Sequence, residues 1–334
     1  MLMKTAGFFQ VILLLTIACL SPGAQAGEGI AERPDVRAFI QNMASRFHFD
    51  ESDLNELFNQ VVIQDKVLEL ITKPAESKPW YAYRKLLLTD ERIQEGIAFR
   101  EKYAQALEKA ELRYGVAPEI IVAIIGVETR YGQKMGNYRV MDALATLSFE
   151  YPRRADFFRK ELQSYLLLCR DEGVNPIEPI GSYAGAMGIP QFMPSSYRQY
   201  AVDLDGDTHR DIWKNPVDAI GSVAHYLAQN GWNAGEPVAF PAEISGNGYT
   251  RLLDKSLKPS HTLEQLHRAG IDINAHLSGN MRAHLLSLEG ESGPEYWVTF
   301  NNFHTITRYN HSPLYAMLAH ELAEAIKNSN DKKR

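Results

Sequence analysis

Residues 120–132 read IIVAIIGVETRYG, an aliphatic run that looks like a helix buried on every side and that nevertheless ends on a carboxylate, Glu128. Helix C-termini carry partial negative charge, so a Glu in the last turn is disfavoured by roughly 0.3–1 kcal/mol when exposed and by more when buried. On a helix Glu128 shares a face with Ile121, Ile124 and Ile125, so its carboxyl grows out of apolar surroundings. Desolvation raises a carboxyl pKa, keeps the proton on near neutral pH and makes the group a general acid. An ion pair with Arg130 or Arg153 is the plain structural alternative.

Outward from this run the texture is helical. Gly115-Val116-Ala117-Pro118 ends one helix and starts the next, with Pro suited to a first turn. Upstream, a long amphipathic helix is expected from about Asp90 to Tyr114, with Ile93, Ile97, Leu107 and Tyr114 along one stripe. Before it lie Trp80-Tyr81-Ala82-Tyr83, a linker over Lys73–Pro79, and apolar-periodic segments from Pro34 to about Leu70 that Asp35 and Asp50 are placed to cap. Downstream, Phe157, Leu162, Tyr165, Leu166 and Cys169 repeat at helical spacing, and PVDAIGSVAHYLAQNGW (216–232) reads as a helix closed by Gly231. After Gly235 strand-like runs bounded by turn residues take over: PVAFPAEI, AHLLSLE and EYWVTFNNF. A last helix starts at Ser312-Pro313. The fold class expected is mainly α with a small β subdomain: an N-terminal helical region over 27–115, a core over 116–235, the β-containing part over 236–304 and a returning helix over 305–334.

The 334 residues suffice for a large core, and 23% charged with 45% hydrophobic residues is an ordinary globular balance. A net charge of −6 without long Lys/Arg clusters argues against nucleic acid as a partner. Lys4, the apolar run AGFFQVILLLTIACL and Ala24-Gln25-Ala26 have the layout of a secretory signal over residues 1–26. Cleavage after Ala26 is favoured over lipidation at Cys19, the alternative that would anchor the chain to a membrane. Cleavage leaves Cys169 as the one cysteine, so stability outside the cytoplasm must come from packing or a bound ion.

Three further stretches carry groups suited to chemistry. GSYAGAMGIPQFMPSSY (181–197) alternates small residues, which let backbone approach a ligand, with Ser182, Tyr183, Gln191 and Phe192, which can bond or stack on a sugar; a tight structural crossover reads equally well. Asp203, Asp205, Asp207 and Asp211 stand at positions one, three, five and nine of a loop, the spacing with which an EF-hand surrounds calcium, and His209 at the seventh would offer its carbonyl. Thr208 holds the place usual for Gly and Lys214 that of the closing Glu, so Asp218 is expected to close the site. FNNFHTITRYNHSPLYAM (300–317) gathers Tyr309, Asn310, His311 and Tyr315 at a helix entry; His304 and His311 lack the neighbours of a zinc site.

Taken together, PEIIVAIIGVETRYG (118–132), MDALATLSFEYPRRADFF (141–158), GSYAGAMGIPQFMPSSYRQYAVDLDGD (181–207), PVDAIGSVAHYLAQNGW (216–232) and TITRYNHSPLYAM (305–317) resemble the lytic murein transglycosylases of the B type. The resemblance spans roughly Pro34 to Ile326. It implies a lysozyme-like catalytic core and cleavage of the MurNAc-β-1,4-GlcNAc bond of peptidoglycan to leave a 1,6-anhydromuramoyl end. It places the catalytic acid at Glu128 and saccharide contacts at Tyr83, Ser182, Gln191, Phe192, Tyr226, Tyr309, Asn310 and Tyr315. A structural calcium is implied at Asp203, Asp205, Asp207, His209 and Asp218, with Asp211 as an alternative ligand, and no cofactor for the chemistry. A periplasmic monomer acting on glycan strands is the corresponding expectation. The rival readings are a hydrolytic muramidase and a catalytically silent peptidoglycan-binding protein.

Overall fold

The computed structural model describes residues 29–72, 78–253 and 256–331; the signal-like N-terminus, Cys19 and most of the 73–79 linker lie outside these. The helices in chain order are α1 (Pro34–Phe47), α2 (Glu51–Asn59), α3 (Asp65–Thr72), α4 (Trp80–Leu87), α5 (Asp90–Lys102), α6 (Ala104–Tyr114), α7 (Pro118–Thr129), α8 (Val140–Glu150), α9 (Ala155–Glu172), α10 (Pro194–Tyr200), α11 (Pro216–Gln229), α12 (Leu263–Arg268), α13 (Asn301–Tyr309) and α14 (Pro313–Asp331). Strands β1 (Tyr138–Arg139) and β2 (Ile180–Gly181) form a two-residue ladder. Strands β3 (Ala239–Ile244), β4 (His261–Thr262), β5 (Ile271–Ile273), β6 (Arg282–Gly290) and β7 (Gly293–Thr299) make an antiparallel sheet in the order β4-β6-β7-β3-β5.

The helix α7 is the axis of the molecule. Ile120 to Ile125 are all buried, because α5, α6, α11 and α14 pack around it and leave no face to water. Pro118 fills its first turn, where a missing N–H is harmless, and Gly115 in the left-handed region (φ 72°) closes α6 just before it. A second apolar core is built by α1–α3 and α8–α10 around Phe58, Leu144, Phe158 and Tyr165. In the sheet, alternate residues of β6 serve different cores: Ala283 and Leu285 join a small core with Leu266 and Phe300, while Leu286 and Leu288 face the helical body. The indole N–H of Trp80 on α4 donates to Glu295 Oε2 at 3.1 Å, tying body to sheet.

Several local expectations are corrected. The helix expected over Asp90–Tyr114 breaks at Tyr103 (φ −110°, ψ 26°), which lets α5 lie against α7 and α14 while α6 packs on α11; one straight helix could not reach both. In α9 the core position is Phe158, fully packed, whereas Phe157 is exposed. Asp50 caps α2 by accepting from Ser52 N and Asp53 N, but Asp35 sits inside α1, where Arg33 precedes the first turn. The run EYWVTFNNF leaves the sheet at Thr299 and turns helical from Asn301. Ser312 accepts from Tyr315 N at 3.3 Å, as expected of a cap on α14.

Candidate active site

Glu128 lies in the last turn of α7 and faces the start of α14. Tyr315, 3% exposed, donates its hydroxyl to Glu128 Oε1 at 2.6 Å. Glu128 keeps only partial solvent access and its carboxyl is enclosed by protein. Burial pushes its pKa up from 4.5 to about 7, and the Tyr315 hydrogen bond opposes that rise. No charged side chain among the described residues is among the causes of the shift. Arg130, one of the two candidate ion-pair partners, turns away and binds Glu95 through two hydrogen bonds of 2.7 Å and Glu91 at 2.5 Å.

What turns Arg130 away is the backbone. Arg130 (φ 50°) and Tyr131 (φ 59°) both stand in the left-handed region, a conformation non-glycine residues resist. The Arg130–Glu95 pair holds one of them, and Tyr131 is held by donating to Arg92 O at 2.9 Å. Tyr131 also lies so close over α7 that a Cβ on Gly126 would come within 2.6 Å of its ring, so only glycine fits there. Thr129 Oγ1 then donates to Ile189 O at 2.8 Å and accepts from Gly132 N at 3.0 Å. The end of α7, which carries Glu128, is thus tied through Thr129 to the 181–192 segment.

That segment folds back on itself: Met187 and Phe192 exchange backbone hydrogen bonds of 2.8 and 3.1 Å. Ser182 Oγ accepts from Ala184 N and Ala186 N, so it shapes the turn. Gln191, itself at φ 50°, donates its amide to Gly188 O and Met135 O, which leaves Oε1 to accept from a ligand. Phe192 is 2% exposed and lies under Tyr226 and Tyr309, with ring centroids at 5.8 and 5.9 Å. Its ring is a floor for those tyrosines, with no open face for a sugar. Tyr309 donates to Pro190 O at 2.5 Å and stacks on Tyr315 (6.4 Å, 8°), while Tyr226 donates to Arg308 O at 2.7 Å. Tyr83 on α4 comes close enough that the Glu128 charge, after burial, raises its pKa. Asn310 is exposed at the α13–α14 turn. Thr129 and Tyr200, whose ring sits 4.7 Å from Tyr226, were not singled out in the sequence; only their neighbours' chemistry marked the region.

The acidic loop lies elsewhere, ahead of α11. One oxygen each of Asp203, Asp205, Asp207 and Asp218 lie within 4.8 Å of one another, and Asp218 is fully buried. Four carboxylates so close, one of them in the core, fit a hard cation with oxygen ligands. Asp218 closes the set from the first turn of α11. Asp211, the alternative ligand, stands outside it and caps a turn by accepting from Trp213 N and Lys214 N at 2.9 Å each. Thr208 adopts φ 77°, the conformation that makes glycine usual at the sixth position. Asn215 adds an unforeseen contact, donating to Asp205 Oδ2 at 2.8 Å.

Comparison with known proteins gives a consistent picture. The sequence profile of the Transglycosylase SLT domain matches residues 31–324. The chain is 45% identical over 312 residues to the membrane-bound lytic murein transglycosylase B of Escherichia coli strain K12, spanning 90% of this chain and 85% of that protein. Among solved structures it is similar to the soluble lytic transglycosylase SltB1 of Pseudomonas aeruginosa, at 47% identity and a TM-score of 0.85 over 89% of this chain and 100% of the other. It is likewise similar to the Escherichia coli lytic transglycosylase Slt35 in complex with calcium, at 45% identity and a TM-score of 0.84 over 91% and 96% of the two chains.

The Tyr315→Phe variant isolates one contact of this site. Without the hydroxyl, the Glu128 carboxylate loses a hydrogen bond worth roughly 1.5–3 kcal/mol, so kcat is expected to fall about ten- to a hundredfold. The alkaline limb of the pH–rate profile is expected to move upward, since the hydrogen bond opposes the raised pKa. An unchanged limb would mean that Tyr315 does not act on Glu128 in solution.

Proposed function

The chain belongs to the SLT transglycosylase family and is a lytic murein transglycosylase with a lysozyme-like fold, and from that premise we propose that Glu128 alone supplies its acid and its base. The protonated carboxyl donates to the glycosidic oxygen as the bond from MurNAc C1 breaks and GlcNAc leaves. The oxocarbenium-like charge is met by the substrate's own 2-acetamido group. Glu128, now a carboxylate held by Tyr315, takes the proton of the C6 hydroxyl as O6 attacks C1 and closes the 1,6-anhydro ring. Atoms balance without water.

The observation that carries this reading is a carboxyl whose pKa is raised to about 7 by burial, hydrogen-bonded to a buried tyrosine and free of any charged partner. Near neutrality such a group holds or releases a proton with little penalty, which suits one residue to both roles. The Glu128 pKa is set by burial, which raises it, and by the Tyr315 hydrogen bond, which lowers it, with no carboxylate among the described residues among the causes. That suits a mechanism in which the substrate and not a second acid completes the reaction. The tie from α7 to the 181–192 segment favours the internal hydroxyl over water by fixing the geometry of attack.

Saccharide contacts are assigned to Tyr83, Gln191, Tyr226, Tyr309, Asn310 and Tyr315, with Ser182 and Phe192 supporting the wall from behind. Asp203, Asp205, Asp207 and Asp218, with the His209 carbonyl, would hold calcium, whose chemistry there is to neutralise buried acids and stiffen the loop. We place the enzyme in the periplasm, where murein lies, on the strength of the signal-like N-terminus; among the described residues no helix is long and apolar enough to cross a membrane.

The products decide between this mechanism and hydrolysis. Murein sacculi digested by the enzyme are expected to release muropeptides with 1,6-anhydro ends by mass spectrometry. Reducing ends, one water heavier, as the main product would establish the hydrolytic muramidase instead.

A further inference from the structure

Glu128 is held from two directions, and the two meet again in the 181–192 segment. On one side its carboxyl accepts the Tyr315 hydroxyl at 2.6 Å, the Tyr315 ring lies parallel to that of Tyr309 (6.4 Å, 8°), and Tyr309 donates to Pro190 O at 2.5 Å. On the other side the chain passes directly from Glu128 to Thr129, whose hydroxyl donates to Ile189 O at 2.8 Å. Ile189 and Pro190 are neighbours in sequence. The contacts therefore close a circuit: Glu128, Tyr315, Tyr309, Pro190, Ile189, Thr129 and back to Glu128.

The Thr129 link is not the bond a helical threonine makes by default. Inside a helix the hydroxyl ordinarily turns back to the carbonyl four residues earlier, here Ile125 O. That oxygen is 3.4 Å from Thr129 Oγ1, whereas Ile189 O is 2.8 Å away. With a single hydrogen to give, the hydroxyl favours the nearer acceptor. Its lone pair is used as well, taking the Gly132 N–H at 3.0 Å, where Gly132 stands at φ 87° just past the end of α7. Thr129 is 1% exposed, so removing the hydroxyl strands a carbonyl and an N–H away from bulk water. The acceptor is itself fixed, because Ile189 N donates to Ile212 O at 2.8 Å.

We propose that Thr129 is a positioning residue of the reaction, acting through Glu128: its hydroxyl closes the circuit that sets where the carboxyl stands relative to the wall carrying Gln191 and Tyr309. The inference rests on Glu128 being the acid. A single carboxyl that gives a proton to the glycosidic oxygen and then takes one from the C6 hydroxyl serves two oxygens at different places, so it tolerates little drift. Misplacement by about 1 Å costs on the order of a hundredfold in rate. Buried as it is, Thr129 reaches no substrate, so the effect falls on kcat and not on KM. A closed circuit has a further property: opening it at one link releases the constraint carried by the other, so breaking both links costs little more than breaking one.

The test uses the full-length enzyme and soluble glycan strands. Thr129→Val keeps the shape and removes the hydroxyl; kcat is expected to fall roughly ten- to a hundredfold with KM within about twofold of wild type. Thr129→Ser restores the hydroxyl and is expected to recover most of the loss. Tyr309→Phe opens the circuit at Pro190, and the double variant Thr129→Val/Tyr309→Phe is expected to be about as slow as the slower single variant. Wild-type kcat in Thr129→Val, a serine variant no faster than the valine one, or losses that multiply in the double variant would each overturn the inference. A merely structural Thr129 would lower the melting temperature and leave kcat, measured well below it, at the wild-type value. Should Thr129→Val not fold, Tyr309→Phe decides alone, since wild-type kcat there overturns the circuit. A Glu128→Gln variant at wild-type rate would instead strike at the acid itself, so the two readings fail separately.

Discussion

Glu128→Gln is expected to lower the release of anhydromuropeptides by about 10²–10⁴-fold, the range that a positioned general acid contributes, or about 3–5 kcal/mol of barrier. The amide keeps the shape and can still accept the Tyr315 hydrogen bond, so the fold should survive. Stability should in fact move the other way. The folded chain binds the Glu128 proton more tightly than the unfolded chain does, because the pKa is about 7 against 4.5. Stability from this group is therefore full below about 4.5 and declines as pH rises through about 7. Above that, ionised Glu128 costs at most about 3 kcal/mol, a ceiling reduced by its partial contact with solvent. Glu128→Gln removes the cost, so the variant should melt higher than wild type at pH 8 and alike at pH 4. Lost activity with gained alkaline stability separates a functional carboxyl from a structural one; a variant that is both inactive and less stable at pH 8 would point to misfolding.

Removal of divalent cations is expected to have the second largest effect. With Asp203, Asp205, Asp207 and Asp218 gathered and Asp218 buried, the loop has concentrated negative charge that a cation offsets. A ligand at a hundred times its dissociation constant stabilises by about 2.7 kcal/mol, which for a chain of this size is a melting shift of a few degrees. Calcium should raise the melting temperature and EDTA lower it. In Asp218→Asn the response should disappear, because the ligand that reaches in from α11 has lost its charge. An identical melting curve with calcium and with EDTA would leave the acidic loop without an ion. Thr208 gives a second handle: at φ 77° glycine fits better, so Thr208→Gly should strengthen the loop by up to about 1 kcal/mol.

Much of this site was legible in the sequence because its strongest signals are local. The apolar run with a terminal Glu, the regular acidic spacing and the Gly/Ala-rich 181–192 segment each break a rule of ordinary composition, and the recurrence of several segments in order named the family. What stayed hidden depends on tertiary packing. Nothing in the sequence marks Thr129 as the tie to Ile189, or Glu95 as the partner that removes Arg130 from Glu128, because those contacts join residues far apart along the chain. Phe192 looked like a sugar platform by residue type, yet three elements converge to bury it. The Asp90–Tyr114 periodicity continues through Tyr103, so pattern alone could not reveal a bend imposed by two different packing partners. The packing of α11, not its sequence, puts Asp218 in the core beside the other three loop carboxylates while Asp211 stands apart from them.

The central claim is a protonation state, and it can be read directly. Carbon-13 spectra of protein labelled at the glutamate carboxyls, recorded from pH 4 to 9 for wild type and for Glu128→Gln, isolate the Glu128 resonance by difference. Its carboxyl is expected to titrate near 7, and higher in Tyr315→Phe. Titration between 4 and 5, in the ordinary carboxylate range, would leave Glu128 ionised at neutral pH and would contradict its role as the acid that starts the reaction.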